Sequence, residues 1–154
     1  MKYSEYNDDI KKEIYEKYDH LAGIDEVGRG PLAGPVVTCA VIMKKDSHIE
    51  GVTDSKKLSR KKMLDLKEKI LKDCLAYSYG YANNHKIDQL NIKEATHRAM
   101  EDALNGLKIV PDIVLIDAER INTPIPQLNI LKGDLNEYAI SCASILAKVR
   151  RDDI

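Results

Sequence analysis

No stretch of this sequence is long and apolar enough to span a bilayer, and no apolar segment follows the first lysine. That excludes a membrane span and a secretory leader from the reading. Cysteine is sparse: Cys39, Cys74 and Cys142 sit far apart, with no C-x-x-C pair. An odd count cannot close a full set of internal disulfides, so a reduced, cytoplasmic setting is expected. Excess positive charge is missing too. The formal net charge is −1, so any nucleic-acid surface must be a local patch. No internal repeat or low-complexity linker interrupts the chain. His20, His48, His85 and His97 share no metal-ligand spacing and read as surface or satisfied core residues. What remains is a chain of 154 residues, 44% hydrophobic and 32% charged, enough for one domain with a real core.

The hydrophobic pattern predicts an α/β domain. Tyr6, Ile10, Ile14 and Tyr18 recur at spacing four within a polar segment, the mark of an amphipathic N-terminal helix appended to the core. Residues 1–20 are therefore expected to form a helical extension, and residues 21–154 the main domain. Strands are expected over Leu21–Val27, Pro35–Met43, Leu75–Ala82, Ile113–Asp117 and Leu128–Leu131. Helices are expected from Ser59 to about Cys74, from near Asn91 to about Leu107, and from Tyr138 to Arg151. Small residues along the last one (Ala139, Ser141, Cys142, Ala143, Ser144, Ala147) let it sit close to a sheet. Strands followed by alternating helices and strands make a mixed sheet.

Three of these strands finish in acids: Asp25-Glu26, Asp117, and Asp134 just past its strand. In open α/β sheets, ligands gather beyond the carboxyl ends of strands. Four clustered carboxylates repel one another unless a cation sits among them. An all-oxygen donor set without histidine or cysteine favours Mg²⁺ or Mn²⁺ over zinc, and it suits two-metal phosphodiester hydrolysis. Neighbours on a regular strand point to opposite faces, so Asp25 and Glu26 are expected to share a site only through a distortion of the strand. With Asp and Glu numbering 25, acids near strand ends also arise by chance.

After the first acids comes Gly28-Arg29-Gly30, a turn suited to close backbone approach to a phosphate or sugar. Asp54-Ser55-Lys56-Lys57 precedes Arg60, Lys61 and Lys62, three cations in the first turn of a helix, where the macrodipole disfavours them. A phosphate-binding patch would explain them, and a solvated basic helix end remains the other reading. Lys148, Arg150 and Arg151 near the C-terminus suit the dipole of the last helix. Tyr77, Tyr79 and Tyr81 read as sheet packing before they read as a base-stacking platform. Tyr138 carries no reading.

The ordered segments Asp25-Glu26-Val27-Gly28-Arg29-Gly30-Pro31-Leu32-Ala33-Gly34-Pro35, Asp54-Ser55-Lys56-Lys57-Leu58-Ser59, Leu90-Asn91-Ile92 with Ala95-Thr96, Leu115-Ile116-Asp117, Lys132-Gly133-Asp134 and Ala143-Ser144-Ile145-Leu146-Ala147-Lys148-Val149 together resemble the ribonuclease HII family, over nearly the whole chain from Leu21. The resemblance implies a ribonuclease H-like fold, with a central mixed five-stranded sheet flanked by helices. It implies endonucleolytic cleavage of the RNA strand of RNA–DNA hybrids, leaving 5′-phosphate and 3′-hydroxyl ends. Incision at ribonucleotides embedded in duplex DNA, the first step of ribonucleotide excision repair, is implied as well.

The family's four metal-binding acids fall on Asp25, Glu26, Asp117 and Asp134, with Mg²⁺ or Mn²⁺ as cofactor. Its ribose-reading turn falls on Gly28, Arg29 and Gly30, and its serine-lysine-lysine segment on Ser55, Lys56 and Lys57, for which phosphate contact is inferred. A monomer acting on nucleic acid, away from membranes, is expected.

Three departures stand out. Ala118 follows the third acid where the family commonly has glycine. Arg150 replaces the threonine that usually precedes the pair Arg151-Asp152. No tyrosine matches the one that the family carries further on, so the chain is expected to be truncated. A catalytically silent, hybrid-binding fragment is therefore the rival reading. The sister ribonuclease HIII, which usually has lysine at the position of Arg29 and an added N-terminal domain, is a weaker rival.

Overall fold

The computed structural model describes residues 6–28, 34–117 and 120–154, and of residues 54–56 the backbone alone. Five strands form one sheet: β1 (Leu21–Val27), β2 (Val36–Met43), β3 (Cys74–Ala82), β4 (Ile113–Asp117) and β5 (Gln127–Ile130). Their order is β3-β2-β1-β4-β5. Strands β1, β2 and β3 pair antiparallel, while β1–β4 and β4–β5 are parallel. This is the mixed sheet expected from the pattern. Every residue of β2 is buried, because both faces of the sheet are covered there.

Alternation along the strands divides the core into two layers. Ala22, Ile24, Ala40, Ile42, Val114 and Ile116 pack on Met100, Ala103, Leu104 and Leu107, most of them in helix α4 (Ile92–Asn105). On the other face, Val37, Cys39 and Val41 meet Met63, Leu66 and Ile70 of helix α2 (Arg60–Asp73) and Cys142, Ile145 and Leu146 of helix α6 (Tyr138–Asp152). The small residues on α6 serve that closeness. A Cβ built on Gly23 would lie 2.2 Å from the carbonyl carbon of Ala139, so only glycine lets α6 rest directly on β1.

Helix starts follow their side-chain caps. Ser59 accepts from the Lys62 amide at 3.1 Å and Asn91 from the Glu94 amide at 3.0 Å. Two short helices, α3 (Asn84–Leu90) and α5 (Gly133–Asn136), were not expected from the sequence. α3 has seven residues, and its two half-buried apolar positions, Ile87 and Leu90, are too few to show a helical period. α5 is a single turn, entered through Lys132 at φ 53°. The N-terminal helix α1 (Asp8–Lys17) is not a mere appendage. Its Ile14 is buried with Leu21, Leu115, Leu128, Ile130 and Ile140. All three cysteines are free thiols. Among the described residues, no helix is long and apolar enough to cross a membrane.

Candidate metal-binding carboxylate site

The parallel ladder between β1 and β4 closes on the pair Ile24–Ile116. Asp25 and Asp117 are the next residue on each strand, so they lie side by side at the carboxyl edge of the sheet. Ile24 and Ile116 belong to the α4 layer, which turns both aspartates toward the α6 side. Asp134 arrives from the other direction. β5 ends at Ile130, the left-handed residue Lys132 reverses the chain, and α5 carries Asp134 back over β4. There Gly133 packs against Asp117, where a Cβ built on it would lie 3.5 Å from the Asp117 Cα, and the charges of Asp117 and Asp134 act on one another.

Asp25 is buried, 6% exposed, and accepts from the Glu26 amide at 2.9 Å. Its carboxyl is held well above the usual range, first by burial, then by the Glu26 charge, with a smaller push from Asp117; the Glu26 amide opposes these. Asp117 is raised by burial and by the charge of Asp134, against the pull of the Gly133 and Asp134 backbone. The four acids are thus linked in pairs, Glu26 to Asp25 to Asp117 to Asp134. Among the described residues, no three His, Cys, Asp or Glu side chains close around a single point as a ready-made ion cage. The donors are nonetheless all oxygen, and Asp25 and Asp117 bear mutual repulsion that a divalent cation would relieve. Their chemistry fits Mg²⁺ or Mn²⁺.

The expected distortion of the first strand is absent. β1 pairs with β2 in regular register through Glu26–Thr38 and Val27–Val37. Asp25 and Glu26 interact at the strand end, where Oδ1 of Asp25 accepts from the Glu26 amide with the backbone unbroken. Gly28, just beyond, takes φ 101°, and a Cβ there would lie 2.7 Å from the Pro35 carbonyl oxygen. The turn after β1 therefore needs glycine at this point. Arg29 and Gly30 lie outside the described residues. So do the side chains of Ser55 and Lys56, whose backbone belongs to a 3₁₀ turn over Val52–Lys57. That turn contacts α5 and α6, which sets it on the Asp134 side of the site, and Lys57 is exposed.

The cations of the α2 N-terminus are partly committed to ion pairs. Arg60 reaches Asp152 and Asp153, each at 3.2 Å, and Lys62 faces Asp65 at 3.8 Å. Arg151, read from sequence as a partner of the helix dipole, donates from Nε to the Pro35 carbonyl at 2.8 Å. It thereby ties α6 to the far end of the Gly28–Pro35 segment. Arg150 donates to the Tyr81 hydroxyl at 2.8 Å and lies 5.7 Å from the ring centres of Tyr79 and Tyr81. Those rings serve α6 and one another, as sheet packing requires. Tyr138 holds the loop after β2, its hydroxyl 2.8 Å from Ser47 Oγ and accepting from the Ile49 amide at 2.9 Å.

One buried acid escaped the reading altogether. Glu137 is fully buried and caps α6, its carboxylate accepting from the Ala139 amide at 3.2 Å and from the hydroxyls of Tyr6 and Tyr15. The only sequence signal was an acid immediately before a helix.

Known proteins resemble this chain in sequence and in fold. The family model for ribonuclease HII matches residues 22–154. A ribonuclease HII from Staphylococcus saprophyticus is 53% identical over 132 residues, covering 86% of this chain and 52% of that protein. One from Caldicellulosiruptor saccharolyticus is 51% identical over 140 residues, covering 90% of this chain and 68% of that protein. The crystal structure of ribonuclease H2 from Pyrococcus horikoshii superposes with a TM-score of 0.77 at 28% identity, over 87% of this chain and 72% of that one. The chain spans about half to two thirds of the length of the curated relatives it matches.

Proposed function

The chain belongs to the ribonuclease HII family, and from that premise we propose that it is a divalent-metal-dependent endonuclease for the RNA strand of RNA–DNA hybrids. The same site would incise at ribonucleotides embedded in duplex DNA, leaving 5′-phosphate and 3′-hydroxyl ends. The observation that carries the proposal is the adjacency of Asp25 and Asp117 at the ends of parallel strands, with Asp134 folded onto Asp117.

Asp25, Glu26, Asp117 and Asp134 would hold Mg²⁺ or Mn²⁺. When bound, the ion supplies positive charge against the negative charge that develops on the phosphate. The Gly133 and Asp134 backbone faces Asp117 and favours its charged carboxylate, against the push of burial, before substrate arrives. Gly28, Arg29 and Gly30 read the ribose 2′-hydroxyl, the group that distinguishes RNA from DNA. Ser55, Lys56 and Lys57 steady phosphates from the Asp134 side. A monomer is sufficient, since all of these residues come from one chain.

A duplex carrying a single embedded ribonucleotide, incubated with this chain and Mg²⁺, tests the reading. Cutting 5′ to the ribonucleotide is expected, and retarded mobility without cutting would instead identify a hybrid-binding fragment. The share of its relatives' length that the chain spans, 52% for the Staphylococcus protein, keeps that second outcome in the experiment. Asp25→Asn or Asp117→Asn should lower cleavage by at least ~10²-fold, since a metal's charge stabilisation is worth several kcal/mol, while hybrid binding survives. Full cleavage by either variant would refute the assignment.

A further inference from the structure

Glu137 is a fully buried carboxylate with no place in the chemistry proposed above. Burial of a charge is costly unless it is paired and hydrogen-bonded. Here its partners are two phenols from the N-terminal segment, more than a hundred residues away in sequence. Tyr6, just ahead of α1, donates to Oε2, and Tyr15 within α1 donates to Oε1. Both phenols are pushed up by burial and by the Glu137 charge, so they remain protonated donors at every physiological pH. Their rings pack beside Ile14, Leu21, Ile130 and Ile140, which holds the hydroxyls in place.

Glu137 is also joined to the turn that carries Asp134. Its amide donates to the Gly133 carbonyl at 2.8 Å. The Ser141 hydroxyl shares one proton between the Asp134 carbonyl at 2.7 Å and the Glu137 carbonyl at 3.0 Å. Gly133 in turn lies against Asp117, where a Cβ built on it would stand 3.5 Å from the Asp117 Cα, and the Gly133 and Asp134 backbone favours the charged Asp117 carboxylate. A hydrogen-bonded path therefore runs from the N-terminal segment, through Glu137, to the turn that bears Asp134, and that turn packs against Asp117.

We propose that the N-terminal helix is a latch: Tyr6, Tyr15 and Glu137 are positioning residues that fix the Gly133–Asp134 turn, and through it the Asp117 and Asp134 carboxylates, for the divalent ion. The inference rests on the metal-dependent reading of the site. α1 buries apolar surface through Ile14, yet a helix needed only as a lid over the sheet would require neither two phenols nor a buried acid. Outer groups that orient metal ligands typically govern affinity by 10- to 100-fold.

The test uses Tyr6→Phe/Tyr15→Phe, which removes two hydroxyls and keeps both rings. Amide hydrogen exchange is followed by NMR in the ion-free chain, and Mn²⁺ binding by paramagnetic relaxation of water. In the double variant, exchange at Gly133 and Asp134 should quicken about tenfold while that of β1 and β2 stays unchanged. Mn²⁺ affinity should fall by about tenfold. Cleavage should be lost at low ion concentration and recovered at high concentration. A folded double variant with parental exchange at those two amides and parental Mn²⁺ affinity would overturn the latch. If the double variant fails to fold, Tyr6→Phe alone, which leaves Tyr15 on the carboxylate, is held to the same criteria. A parent chain that binds no Mn²⁺ would overturn both the metal-dependent reading and this inference. Parental Mn²⁺ binding that the variants leave unaltered would overturn the latch only.

Discussion

A buried aspartate beside two other carboxylates works against the fold when no cation is present, and Asp25 is such a residue. Its carboxyl is raised well above the usual range by burial, then by Glu26 and by Asp117. A raised folded-state value stabilises the fold fully below the unfolded value of about 4, and this contribution is lost as pH climbs through the raised value. In ion-free buffer, the melting temperature of Asp25→Asn should therefore exceed that of the parent, by a margin that widens from pH 4 toward neutrality. At this chain length each kcal/mol amounts to roughly 2–4 °C. Mg²⁺ should narrow the margin by stabilising the parent alone. Calorimetric scans across that pH range decide the matter, and a variant less stable than the parent at pH 7 would contradict it. The residue that most favours metal chemistry is thus expected to weaken the ion-free fold.

Among the elements, the contact between α6 and β1 does most to build the site, because α6 starts at Tyr138, just after the turn bearing Asp134. Gly23 permits that contact. A methyl group there would meet Ala139 and Ile140 backbone atoms at 2.2–2.6 Å, and backbone cannot rotate out of the way. Gly23→Ala should cost at least about 1–3 kcal/mol in urea denaturation, with Mn²⁺ binding impaired in whatever fraction remains folded. The cap of α2 offers a milder comparison, since Ser59→Ala removes one hydrogen bond and should cost about 1 kcal/mol without affecting the metal site. The long elements were legible because each carries a stripe or run of buried residues, as α2 does with Met63, Leu66 and Ile70. α3 and α5 were not, since neither is long enough to show a period. Pairing of Asp25 with Glu26 was legible as adjacency and misread as a backbone distortion, because side-chain rotamers at a strand end cannot be read from alternation alone.

At the scale of the whole molecule, a formal charge of −1 gives no general attraction for nucleic acid. Arg60 is paired with Asp152 and Asp153, and the segment holding Lys56 and Lys57 is the proposed phosphate contact. Two phosphate contacts correspond to a slope of about −1.8 in log affinity against log salt, or roughly tenfold between 50 and 200 mM. Fluorescence anisotropy with a labelled hybrid should show that dependence, and Lys56→Ala/Lys57→Ala should flatten it. An affinity unchanged by salt would remove the patch from the site.

Two kinds of information are separated cleanly in this chain. Residue order alone determined the strands and the main helices, because burial of apolar faces repeats at fixed periods. It also marked four acids at or just past strand ends and placed the chain by its motifs, since these are local properties of short segments. Only the tertiary structure decided that α1 belongs to the core, that Glu137 is buried beneath two phenols, and that Arg151 grips Pro35. Each of these joins residues more than a hundred positions apart, and such contacts are settled by how whole elements pack.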